Sequence, residues 1–248
     1  MVVCFICTAT QAKYSGGTGE PNDPYQIATA EDLILLGESP EDYNKHFILT
    51  AEIDLDPNLP GRKVFDKAVI APDTNDASWW FDGTSFKGVF DGNSHRILNL
   101  TIMGVDYLGL FGLLDSGAGV SNLGIEAIDV NGVGENIGGL AGMNSGSITS
   151  SYINGTIRGG EYVGGLIGEN ISDILIYKCF WDIETSGQTS SFGGKGKTTI
   201  EMHTADTFLK ADWDFVGETE NGTEDIWWID EGNDYPRLWW ETTGVISD

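Results

Sequence analysis

The tetrapeptides Gly109-Leu110-Phe111-Gly112, Gly139-Leu140-Ala141-Gly142 and Gly165-Leu166-Ile167-Gly168 decide the fold of this chain. A degenerate fourth copy, Gly88-Val89-Phe90-Asp91, precedes them, and successive first glycines stand 21, 30 and 26 residues apart. Self-similarity at such a period marks stacked structural repeats. The register runs beyond the glycines. Asn93, Asn144 and Asn170 follow a first glycine by five residues, and Ile97, Ile148 and Ile174 by nine. The Gly109 copy departs, because its turn, Asp115-Ser116-Gly117-Ala118-Gly119, holds no asparagine and moves the apolar position to Val120.

Short apolar runs separated by Gly, Asn and Ser turns, with almost no helix-period stretch between them, read as β structure. Parallel strands normally need a helical crossover. A coil removes that need: each strand stacks on its counterpart one lap away, and inward side chains line up in columns. Leu110, Leu140 and Leu166 are expected to form one column, and Ile97, Ile148 and Ile174 another. The glycines are expected to supply positive φ at tight corners. Asn93, Asn144 and Asn170 are expected to form an amide ladder at one corner.

The three tetrapeptides resemble the GLUG repeat of large secreted and cell-surface bacterial proteins, which include adhesin-like chains and some immunoglobulin-A-cleaving peptidases. The likeness covers residues 86 to 187 and implies a right-handed parallel β-helix. It implies no active site, because the repeat is a scaffold. The peptidase members place catalysis in a separate zinc domain with His-Glu-x-x-His. That motif is missing here, where His46, His95 and His203 stand apart.

The expected architecture is all-β, a right-handed parallel β-helix (solenoid) over 47–190 between caps at 13–46 and 191–248. Bare strand edges invite aggregation, so the ends should differ from the middle. Upstream, Thr29 precedes Ala30-Glu31-Asp32-Leu33-Ile34-Leu35-Leu36 and Gly37 follows, a capped helix with Leu33 and Leu36 on its apolar face. Downstream, Thr198-Thr199-Ile200-Glu201 fits a capping box. Ile226-Trp227-Trp228-Ile229 and Arg237-Leu238-Trp239-Trp240 then form an aromatic hairpin expected to pack over the last coil.

Among 248 residues, 34 glycines and only 7 prolines fit a turn-dense fold rather than collagen or a proline-rich tail. A net charge of −25 repels polyanions, which excludes nucleic acid as a partner and leaves neutral glycans, proteins and Ca²⁺. Residues 1–12 read as a truncated signal peptide ending Thr10-Gln11-Ala12, and no other stretch approaches a membrane span. Cys4 and Cys7 fall in that leader. Cys179, in a strand-like run, reads as a buried unreactive thiol.

Three patterns bear on chemistry. Asp54, Asp56 and Asn58 place oxygens at alternate positions, as in the first half of a calcium loop. Leu59 and Phe65 stand where the turn glycine and closing glutamate would be, so no EF-hand forms. Calcium is the one cofactor left open, here or at Asp73, Asn75 and Asp76. The run Gly193-Gly194-Lys195-Gly196-Lys197-Thr198 fails as a phosphate loop, because Ser191 stands at its required first glycine. Trp79, Trp80 and Phe81, flanked by acids, form the best ligand-binding candidate, an aromatic surface for neutral sugars.

Asp182 and Glu184 read as an exposed acidic pair with Thr156 and Arg158 as repeat counterparts, so Asp182→Ala is expected to leave stability nearly unchanged. The functional expectation is a non-catalytic, secreted or surface-associated β-helix module for adhesion, binding or structure, contacting a neutral glycan or a protein. The alternative is a polysaccharide lyase or glycoside hydrolase with a groove on the helix face. The oligomeric state is left open.

Overall fold

In a computed structural model that describes residues 12–171 and 176–242, the repeats wind into a parallel β-helix. The leader with Cys4 and Cys7, and Ile174, lie outside the described residues. Three walls recur in each lap. The first stacks Tyr25–Ile27, His46–Leu49, Val89–Asp91, Gly119–Ser121, Ser147–Thr149 and Ile176–Tyr177. The second stacks Ile53–Asp54, Arg96–Leu98, Gly124–Gly132, Tyr152–Arg158, Phe180–Asp182 and Lys195–Lys197. The third stacks Phe111–Leu114, Ala141–Asn144 and Ile167–Asn170, with the pair Glu135–Ile137 and Glu161–Val163 leading into it.

The leucine column forms. Leu110, Leu140 and Leu166 are all fully buried, each one residue before the paired Phe111, Ala141 and Ile167. Phe111 N–H donates to Leu140 O at 2.9 Å and Leu140 N–H to Leu166 O at 3.0 Å, so like lies over like. The isoleucine column does not form as expected. Ile97 belongs to the second wall, in register with Ile53, Ile125, Ile153 and then Trp181. Ile148 belongs to the first, with Phe90, Val120 and Ile176. The cause is Gly88-Val89-Phe90-Asp91, which pairs with Gly119–Ser121 in the first wall and is no copy of the motif. The true first-lap counterpart is Ala68-Val69-Ile70-Ala71, where Ile70 bridges Phe111. For the same reason Asn93 leaves the amide ladder and bonds Leu49 O, while Asn144 Nδ2 donates to Asn170 Oδ1 at 2.9 Å.

The motif glycines act through space, not through positive φ. None of Gly109, Gly112, Gly139, Gly142, Gly165 and Gly168 is left-handed. A Cβ on Gly112 would lie 2.2 Å from Ala71 O, and one on Gly165 only 2.0 Å from the Trp181 ring. The corners instead use other residues in left-handed columns: Ser94, Asn122, Ser150 and Lys178, then Asn99, Ala127 and Gly155, then Tyr107, Asn136 and Tyr162.

Both ends close as elements distinct from the repeats. Helix α1 (Ala30–Gly37) starts at the Thr29–Asp32 capping box and buries Leu33 and Leu36 completely in the main core. After α2 (Ile183–Ser186), Ser191 Oγ accepts from Leu166 N–H and Ile167 N–H at the third wall's last edge. Helices α3 (Thr199–Met202), opened by the expected capping box, and α4 (Ala205–Leu209) follow. With the hairpin of Trp227–Trp228 and Arg237–Leu238 they enclose a second core. That core rests on Tyr152 and Phe180, on the outer side of the second wall.

Gly112→Ala is expected to lose about 1–3 kcal/mol through backbone overpacking. Gly119→Ala, whose Cβ would meet nothing closer than 3.6 Å, should stay within about 0.5 kcal/mol of the parent. Urea unfolding of the two variants side by side checks this.

Candidate functional site

The first lap is long. After the N-terminal strand Tyr25–Ile27, first-wall strands begin at 46, 89, 119, 147 and 176, so the lap that starts at His46 takes 43 residues where the later ones take 28 to 30. Part of the excess is the 73–82 loop carrying the aromatic trio. Asp73, buried, accepts through Oδ1 from Thr74 N–H at 2.9 Å and Asp82 N–H at 2.8 Å, closing the loop at its base. Asn75 Nδ2 donates to Asp82 Oδ2 at 2.9 Å, and Lys67 pairs with Asp76 at 3.0 Å. The loop is thus ordered by its own polar groups before any ligand arrives.

Its aromatics divide the work. Phe81 is half-buried, edge-on to Tyr107 with centroids 5.3 Å apart, and Tyr107 Oη donates to Trp79 O at 3.2 Å. Trp79 and Trp80 project, 81% and 66% exposed, with ring centroids 4.9 Å apart and planes tilted by 43°. Adjoining exposed apolar side chains of this size are a feature by which interaction sites are recognised. Beside Trp79 opens a groove of about 310 Å³ lined by Asp76, Ser78, Asp106, Tyr107, Glu135 and Asn136 among others. Tyr107 is held protonated: burial raises its hydroxyl above the usual range, reinforced by Asp73, Asp106, Glu169 and Glu135. Asn136 is 5% exposed, and its Oδ1 has no partner.

Sequence reading found the tryptophans and missed Asp106, Glu135 and Asn136, which come from later laps. No sequence signal marked them, since the left-handed position that Tyr107 and Asn136 share shows only in the folded backbone.

The other candidates serve the fold. Asp54 Oδ1 accepts from Asp56 N–H and Asn99 Nδ2, both at 2.9 Å, and Asp56 Oδ1 from Asn58 N–H at 2.9 Å and Asn58 Nδ2 at 2.7 Å. These are Asx turns. Among the described residues no cluster of three or more His, Cys, Asp or Glu is placed to hold a metal. Lys195–Lys197 extends the second wall, and Thr198 caps α3. The Cys179 thiol is buried, which pushes its pKa up to about 12.

The acidic pair needs correcting. Asp182 is fully buried: Oδ1 accepts from Glu184 and Thr185 N–H, and Oδ2 from Thr199 Oγ1 at 2.7 Å and Tyr235 Oη at 2.6 Å. Glu184 lies in α2 and not on the same strand. Thr156 pairs with Asp129 and Arg158 with Asn131, while Ile153 pairs with Trp181, which puts Asn154 beside Asp182. The slip of two residues arises before this strand, because Ile176 follows Asn170 by six residues where its partner Ile148 follows Asn144 by four. Farther down this face Arg96 is bracketed by Glu52 and Glu126, and Tyr152 Oη lies 2.5 Å from Glu126 Oε1. These groups compensate one another.

The fold and this side loop define the class, a parallel β-helix with an aromatic projection. No family model matches the chain. It is 35% identical over 163 residues, 65% of its length, to halomucin of Haloquadratum walsbyi. It is 34% identical over 123 residues, 47% of its length, to a protein of Evansella cellulosilytica provisionally named Gly-rich membrane protein. The chain spans only 2% and 13% of those relatives. A crystal structure of a provisionally named immunoglobulin A1 protease from Bacteroides ovatus superposes with a TM-score of 0.42 at 16% identity, covering 92% of this chain and 96% of that one. No helix among the described residues is long and apolar enough to cross a membrane.

Asp182→Ala strips four donors of their acceptor and is expected to lose at least about 2 kcal/mol, measured by urea unfolding. Thiol reagents at pH 8 should leave Cys179 unmodified in the native chain and label it fully in denaturant.

Proposed function

We propose that the chain is a non-catalytic, GLUG-type β-helix module of a secreted or surface-associated protein, and that it binds glycans through Trp79 and Trp80. The observation that carries this reading is the tandem exposure of both indoles on a loop already braced by Asp73, Asp82 and Tyr107. Flat apolar faces beside hydrogen-bonding groups suit the faces and rims of sugar rings. Bracing lowers the ordering cost of binding. The likeness to halomucin and to a protein named for the membrane supports placement at a cell surface. Engagement of Asp182, Glu126 and Arg96 in compensated contacts supports the non-catalytic role over a lyase or hydrolase.

A neutral glycan array read with and without Ca²⁺, followed by titration of any hit, tests the reading. Trp79→Ala and Trp80→Ala are each expected to weaken binding about tenfold or more, with the thermal midpoint unchanged. Full retention of affinity in the double variant overturns the site.

A further inference from the structure

We propose a second site, independent of the tryptophan loop: the cleft between the last strand of the second wall and helix α4 binds the carboxylate of a small acidic sugar. Two hollows of about 370 and 240 Å³ adjoin there and share Phe180, Lys195, Lys210 and Ala211. Strand Lys195–Lys197 is paired with Phe180–Asp182, so Lys195 lies one level beyond Phe180 on the outward face where the C-terminal helices rest. Lys197 lines the first hollow and Lys178 the second. Lys210 comes from the other bank, at the end of α4.

The charge of the cleft runs against that of the chain. With 38 acids to 13 lysines and arginines, a cation that lacks a carboxylate is scarce. Among the described residues eleven of the thirteen are ion-paired. The exceptions are Lys63, which lies over the Phe65 ring, and Lys195. The two acids of the lining are already held, Glu201 by Lys197 at 2.9 Å and Asp206 by Lys210. Lys178 donates to Asp212 O at 2.9 Å, with Asp212 Oδ2 at 3.5 Å. The surplus positive charge therefore stands at Lys195, where the hollows join.

An ammonium offers three donors and no acceptor, and a carboxylate is the partner that turns such donors into charge-assisted hydrogen bonds. The rest of the lining suits a sugar ring: Phe180 and Ala211 are apolar, and Thr204 and Thr207 bring hydroxyls. The ligand must carry few charges. A net charge of −25 repels a chain of acids at long range, whereas one carboxylate feels chiefly the lysines beside it.

The test is calorimetric titration of the full chain with glucuronate, glucose, inorganic phosphate and a polyuronate. Glucuronate is expected to bind about tenfold tighter than glucose or phosphate, and the polyuronate no tighter per sugar than the monomer. Lys195→Met should weaken glucuronate about fivefold or more with the thermal midpoint unchanged, because the lysine gives up no partner in the fold. Lys63→Met and Trp79→Ala should leave glucuronate binding as it is. A neutral trisaccharide ending in glucuronate that binds tighter than the free acid would assign the site to a glycan end, and the reverse to the free acid. Glucose or phosphate binding as tightly as glucuronate overturns the assignment, as does full affinity in Lys195→Met or binding of none of the four. Loss of glucuronate binding in Trp79→Ala moves the ligand to the tryptophan loop and overturns it too.

Discussion

Each strand of the coil hydrogen-bonds to the strand one lap away, and that backbone ladder is the constraint from which the rest follows. Once Phe111, Ala141 and Ile167 are tied in register, whatever the backbone does at one level it must repeat at the next. The left-handed columns are the visible result. Tyr107, Asn136 and Tyr162 share a conformation that suits only asparagine well. At about 1–2 kcal/mol for each such residue, local preference alone would not hold them. The buried columns supply what is needed, since each enclosed leucine or isoleucine contributes about 1.5–3 kcal/mol.

The same ladder decides what the sequence could reveal. Leu110, Leu140 and Leu166 were legible because the motif recurs wherever wall and core demand the same residues. Gly88 misled because glycine there answers a different crowding, its absent Cβ leaving room for Lys45 O. The real first-lap counterpart, Ala68-Val69-Ile70-Ala71, was invisible because it lacks both glycines. The slip at Asp182 came from the step between the third and first walls, which takes six residues from Asn170 to Ile176 but four from Asn144 to Ile148 and so changes the residue count after the motif. In the candidate groove the tryptophans announced themselves by type. Asp106, Glu135 and Asn136 did not, because only the winding brings residues from separate laps together.

The polar chemistry of the second wall points inward to the fold. Asp182 joins α2, Thr199 and Tyr235, and so fastens the last coil to the C-terminal helices and hairpin. Arg96 lies between two glutamates. A face whose charged groups are compensated has little left with which to stabilise a developing charge in a transition state. What such a wall does well is hold its shape, and that is the property the proposed binding surface would borrow from it.

Where, then, can ligand chemistry enter a fold whose walls are committed to the ladder? It must enter where extra residues do not disturb register, at a corner between strands. Lengthening a loop costs only about 0.6 kcal/mol per doubling, so the first lap can run to 43 residues while its strands stay in step with their neighbours. The excess is also free of the outward packing that occupies the second wall. It carries the two most exposed tryptophans of the described chain and leans against the left-handed turns of the next two laps. Those turns present Asp106, Glu135 and Asn136 because the coil repeats them there. Recognition at the proposed site would therefore draw on both parts: an insertion that tolerates change, and a stacked corner that does not.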